Sequence, residues 1–126
     1  MEPLFRKVDC VQLKVDNLET ALSFYSSRLG HTLKWKTETS AGLSMADADT
    51  ELVIHTGSLP PETDLLVSSV PEAVKQFLEA GGKVIIGPFD ILIGLCAVVE
   101  DPWANRMVIL DMSKGKLKVD EQMNVI

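Results

Sequence analysis

Positive charge, histidine and long apolar runs are all in short supply. The chain has 12 Lys and Arg against 18 Asp and Glu, a formal net charge of -6, and its only local basic cluster is Lys114, Lys116 and Lys118. A nucleic-acid-binding surface needs concentrated positive charge, so that class is excluded and the three lysines read as a solvated end. No uninterrupted apolar stretch approaches the roughly 20 residues needed to cross a bilayer, which argues against membrane insertion. Cysteine is limited to Cys10 and Cys96, too few for a disulfide framework. Together with a start, Met-Glu-Pro-Leu-Phe-Arg-Lys, that lacks a signal-peptide apolar region, they predict a reducing cytoplasm. The glycines form no phosphate-cradling loop.

What is present is a near-repeat. Leu13-Lys14-Val15-Asp16-Asn17-Leu18-Glu19-Thr20-Ala21-Leu22 returns as Leu65-Leu66-Val67-Ser68-Ser69-Val70-Pro71-Glu72-Ala73-Val74, and Tyr25 and Gly30 answer to Phe77 and Gly82 at the same offset. In the first copy, Val11, Leu13 and Val15 alternate with Cys10, Gln12 and Lys14, as in a strand with one face under a helix. Asn17 is a good N-cap, Leu18, Ala21, Leu22, Tyr25 and Leu29 recur at helical spacing, and Gly30 supplies an exit. Strand-like pieces follow around His31 to Lys36, Leu43 to Ala46 and Thr50 to Thr56. The second copy opens on Thr63, Leu65 and Val67, and Ser69-Val70-Pro71-Glu72 has capping-box spacing with proline in the first turn. Strands are then expected through Lys83 to Ile86, Ile91 to Val99 and Asn105 to Asp111, with turns at Gly87-Pro88 and Asp101 to Ala104.

The chain therefore reads as α+β: a single domain, 1–113, of paired βαβββ units at about 8–57 and 62–112, whose curved mixed sheets surround a cleft. Gly57-Ser58-Leu59-Pro60-Pro61 forms the joint, and 114–126 is expected as a flexible tail or an oligomer contact.

This pattern resembles the vicinal oxygen chelate superfamily, which includes glyoxalase I, extradiol dioxygenases, fosfomycin-modifying enzymes and bleomycin-resistance proteins. The likeness is carried by Val11-x-Leu13-x-Val15-x-x-Leu18-x-x-Ala21-Leu22-x-Phe24-Tyr25-x-x-x-Leu29-Gly30 and by Asp101-Pro102-x-x-Asn105 before the last strand. In metal-dependent relatives each unit offers one ligand on its first strand and one on its last. Carried over, the resemblance implies the quartet Cys10, Val53, Glu62 and Val108. Two valines donate no electron pair to a metal, and Cys with Glu alone is an incomplete shell. No metal or other cofactor is therefore expected, and a displaced site using Cys10, His55 and Glu62 is the competing arrangement.

Alternation sets Cys10, Gln12 and Lys14 of one unit opposite Glu62, Asp64 and Leu66 of the other. Lys14 suits an anionic ligand group and Glu62 or Asp64 a proton-accepting role; a salt-bridged or solvated rim is the plainer alternative. Cys10 is a nucleophile only with a nearby base, and no His-Cys spacing supplies one. Trp35 and Trp103 offer flat ligand contacts or belong to the core. Arg106 either pairs with a ligand carboxylate or phosphate or forms a structural pair with Glu51. His31 reads as a turn or strand-start residue.

The ligand-binding candidates are thus Cys10, Gln12, Lys14, Trp35, His55, Glu62, Asp64, Trp103 and Arg106. Three functions follow: a metal-independent, bleomycin-resistance-like protein that binds a small organic molecule; a metal-dependent glyoxalase-like lyase or isomerase, or a dioxygenase; and an accessory module with a filled cleft. Homodimerisation is expected from the resemblance and from the extra apolar burial it provides.

Overall fold

The computed structural model describes residues 2–59 and 61–126; Pro60, inside the expected joint, lies outside the described residues. The elements run β1 (Lys7–Lys14), α1 (Leu18–Leu22) continued by a π-helical turn (Ser23–Arg28), β2 (Leu33–Lys36), β3 (Ser40–Leu43), β4 (Glu51–His55), β5 (Glu62–Leu66), α2 (Val70–Glu79), β6 (Lys83–Ile91), β7 (Gly94–Glu100) and β8 (Arg106–Leu110). This is βαβββ twice, an α+β fold. The chain forms two compact units, Asp9–Glu62 with Lys118–Ile126, and Thr63–Leu117 with the start of the chain through Val8.

In the first unit the strand order is β2-β3-β4-β1. β1 runs parallel to β4, with Cys10, Gln12 and Lys14 opposite Glu51, Val53 and His55, and the other pairs are antiparallel. The helix starts where Asn17 Oδ1 accepts the Thr20 N–H at 2.9 Å. Leu18 and Ala21 then pack on Ala41, Leu43, Leu52 and Ile54, with Leu13, Val15 and Leu22 around them. Each fully buried Leu or Ile in this layer contributes roughly 1.5–3 kcal/mol. Helical spacing also predicts Leu29 on this face, yet it is 54% exposed. Beyond Leu22 the backbone widens, and the Leu29 N–H bonds to the Phe24 carbonyl at 3.1 Å, five residues back. That step changes the phase of every later side chain.

β3 lies over Ser40–Leu43 rather than around Leu43 to Ala46. Gly42 lies against the Trp35 indole, and any side chain there would overlap it. A low-propensity Ser-Ala-Gly run is thereby recruited to the sheet by its neighbours.

The second unit repeats the order as β5-β8-β7-β6. β5 runs parallel to β8, with Asp64 opposite Val108 and Leu66 opposite Leu110. Ser69 caps α2, with Pro71 in its first turn, and Val70 and Ala73 pack with Val67, Ala97, Val99 and Ile109. Gly87-Pro88, expected as a turn, is instead an irregularity inside the longer β6, where the register shifts between Ile86 and Phe89 and Gly87 has φ 91°. Asp111, only 1% exposed, ties this unit together. Its carboxylate accepts the N–H groups of Val70 at 2.8 Å, Leu95 at 2.9 Å and Ser113 at 3.2 Å, and the Ser113 hydroxyl at 2.8 Å. Burial pushes its pKa up, but these four bonds to the ionised form outweigh burial and hold it below the ordinary carboxylate value.

Asp101-Pro102-Trp103-Ala104-Asn105 is a turn in which Asp101 Oδ1 accepts the Trp103 and Asn105 N–H groups and Oδ2 accepts the Asn105 side chain. Asp120-Glu121-Gln122-Met123-Asn124 forms the same turn: Asp120 Oδ1 accepts the Gln122 and Asn124 N–H groups, and Oδ2 accepts Asn124 Nδ2. The fourth residue is left-handed in both, with φ 69° at Ala104 and 66° at Met123. The segment expected as a flexible tail or oligomer contact thus carries a small hairpin bonded to this same chain. Lys36 N–H donates to the Met123 carbonyl at 2.7 Å, and Val125 N–H to the Lys36 carbonyl at 2.9 Å.

Candidate functional site

Within each unit the sheet has one face under the helix, and the opposite face carries the residues with chemistry. In the first unit, parity along the strands puts Cys10, Gln12, Lys14, Glu51, Val53 and His55 on the helix-free side. Trp35 pairs with Gly42 in the neighbouring strands and extends over it, and its Nε1–H donates to Glu51 Oε1 at 2.7 Å. An indole fixed at its nitrogen end by Gly42 and Glu51 is a half-buried plate. Lys14 and His55 are cross-strand neighbours at the other end of the face.

His55 is 8% exposed. Its Nδ1 accepts the Gly57 N–H at 3.2 Å, so the neutral ring carries its proton on Nε2. That Nε2–H is buried and meets no acceptor among the described residues. The hydroxyl of Ser40, its neighbour on β3, shares a hydrogen bond with the Thr37 hydroxyl at 2.8 Å. Lys14 is exposed, and its ammonium forms no ion pair among the described residues. Cys10 is buried beside Gln12, whose Nε2 approaches Sγ at 3.9 Å, and neither cysteine is in a disulfide.

On the helix-free side of the second unit, Asp64 is buried beside Val108, which lies opposite Val98. Arg106 does not pair with Glu51. Its Nε donates to Glu100 Oε2 at 2.9 Å, one strand away, while Glu51 is occupied by Trp35. Trp103 stands at a turn and is 80% exposed, so it is not core. Glu62 begins β5. His31 Nδ1 bonds the Ser44 carbonyl at 2.8 Å, a strand-start role. Sequence reasoning missed the Trp35–Glu51 bond and the orphaned donor of His55. Gly42 opposite an indole is the one signal for the first, and nothing local encodes the second.

The family model of the Glyoxalase/Bleomycin resistance protein/Dioxygenase superfamily matches residues 7–109. The chain belongs to that superfamily. Among solved structures, methylmalonyl-CoA epimerase from Mycobacterium tuberculosis is 13% identical with TM-score 0.70, over 87% of this chain and 90% of that one. NAD-dependent benzaldehyde dehydrogenase from Legionella pneumophila is 21% identical with TM-score 0.66, over 82% and 98%. An extradiol ring-cleaving dioxygenase from B. fuscum is 22% identical with TM-score 0.63, over 87% of this chain but 33% of that one. At such identities the likeness is one of fold. No curated protein matches the sequence.

The metal that the superfamily resemblance implies does not fit these residues. The internal repeat makes Gln12 and Asp64 equivalent, and they lie opposite Val53 and Val108 respectively. The two valines therefore occupy matching places in their units, and neither can act as a donor. For His55 to join the set, Nε2 would have to give up its proton and the Gly57 N–H would lose its acceptor at Nδ1. Among the described residues no group of three His, Cys, Asp or Glu side chains is placed to hold a metal ion. The displaced arrangement of Cys10, His55 and Glu62 is thus not formed. No helix is long and apolar enough to cross a membrane.

Proposed function

We propose that this superfamily member binds a small organic molecule on the helix-free face of the Asp9–Glu62 unit, without a metal ion in the ligand places of its relatives. The observation that carries it is the make-up of that face, an apolar Val53 in a ligand place between the Trp35 plate and the buried Nε2–H of His55, which has no acceptor among the described residues. A flat apolar contact with one oriented donor is how small-molecule sites combine affinity with orientation. Sequestration of the ligand, in the manner of a bleomycin-resistance protein, is the role this composition supports. A cytoplasmic setting is part of the proposal, supported by Cys10 and Cys96 being buried outside any disulfide.

Two measurements test it. Elemental analysis of protein purified without chelator is expected to find no stoichiometric transition metal. A panel of neutral aromatic compounds is expected to raise the melting temperature and change tryptophan emission, with the emission change lost in Trp35→Phe and kept in Trp103→Phe. Close to one metal ion per chain would instead group the protein with metal-dependent lyases, isomerases or dioxygenases.

A further inference from the structure

The Lys14–His55 end of the face has an identity of its own. His55 is held by Gly57 in the one tautomer that directs a donor from Nε2, and that donor has no acceptor among the described residues. A buried N–H with no partner is rare because its desolvation is uncompensated. Directly across the strand pair stands Lys14, which pairs with no carboxylate among the described residues. Glu51, the acidic residue of the same β4 face, lies four residues away and is engaged by Trp35. The face is therefore polarised, with an acceptor-poor, cationic end at Lys14 and His55 and an indole plate nearer its middle. Gly42 stands beside Val53 and Ser40 beside His55, so plate and donor are separated by two residues of strand, about 7 Å. That span suits one aromatic ring with an attached carboxylate.

We propose that this face takes aromatic carboxylates. One carboxylate oxygen accepts the His55 Nε2–H, the Lys14 ammonium neutralises the charge, and the ring lies over Val53 against Trp35. The proposal rests on the binding role above and adds the chemical class. Because Nε2 is closed to solvent, the oxygen reaches it only as neighbouring side chains give way. Once made, the bond is charge-assisted and shielded from water.

The probes are benzoate, phenylacetate and 2-naphthoate, each against its neutral amide, measured by calorimetry and by tryptophan emission in the Trp103→Phe background. At least one acid should bind, and its amide should bind about tenfold more weakly. Lys14→Met should weaken the acid by about tenfold and leave the amide unchanged, because only the charge is lost. His55→Phe should weaken both, because acid and amide each present an oxygen to Nε2–H. Lys14 is exposed, so its variant keeps the test open if His55→Phe does not fold. Failure of all three acids to bind would overturn the proposal. Equal binding of acid and amide, or an acid indifferent to Lys14→Met, would overturn it too. In those cases neutral compounds that still perturb Trp35 would leave the broader binding role standing.

Discussion

Asp111 shows how much one side chain decides. It lies beyond the last strand and carries no apolar signal, yet it accepts four hydrogen bonds and links the start of α2 to β7. Asp111→Ala leaves the buried Val70 N–H and the part-buried Leu95 N–H without acceptors and is expected to cost about 3 kcal/mol in a chemical melt. The sign of the pH dependence follows from its lowered pKa. A carboxylate held below its unfolded value of roughly 3.9 contributes stability that is fully present above that pH and is lost as pH falls through the folded value. The stability gap between wild type and Asp111→Asn should therefore narrow on acidification below about pH 4, and a constant gap would refute this account. Ala104 gives a second residue-level prediction. Its φ of 69° lies in the left-handed region, so Ala104→Gly should stabilise the protein by up to about 1 kcal/mol by equilibrium unfolding.

Among the elements, the ones misjudged from sequence are those controlled by neighbours. The apolar spacing of Leu18, Ala21 and Leu22 predicts a helix correctly, but the widening after Leu22 that exposes Leu29 has no mark in the pattern. The 118–126 hairpin was legible in principle, since Asp120 and Asn124 repeat the spacing of Asp101 and Asn105. What conceals it is weak local propensity: a hairpin this short is stable only when it pairs with something else, here β2 at Lys36. It thereby covers part of an edge strand that would otherwise offer open N–H and C=O groups. Asp120→Ala removes the acceptor of two backbone donors in that turn. Amide exchange at Lys36, whose N–H donates to Met123, should accelerate, while exchange in β4 stays as it is.

Considered whole, the chain is one scaffold used twice with different residues on the helix-free faces. One face has Gln12, Val53, His55 and Trp35; the other has Asp64, Val108, Val98 and Arg106 paired to Glu100. At this scale we propose a homodimer. β6 ends the strand order of its unit and carries Ile86 at 55% exposure, and Leu92 in the turn that follows it is 71% exposed, apolar surface of the kind that self-association buries. Light scattering should give twice the chain mass of 13.8 kDa, and Ile86→Lys with Leu92→Lys should return it to that value.

By itself the sequence determined the repeat, the βαβββ order of each copy, and the helix caps at Asn17 and Ser69, and the family resemblance it carries implied apolar residues in two metal-ligand places. All of these are local or periodic, and periodicity survives in one dimension. Only the tertiary structure decided that Glu51 holds Trp35 and not Arg106, that Gly57 fixes the His55 tautomer, and that Asp111 binds α2 to β7. Those outcomes depend on which strands become neighbours, and hydrogen bonds between side chains distant in sequence leave no periodic trace.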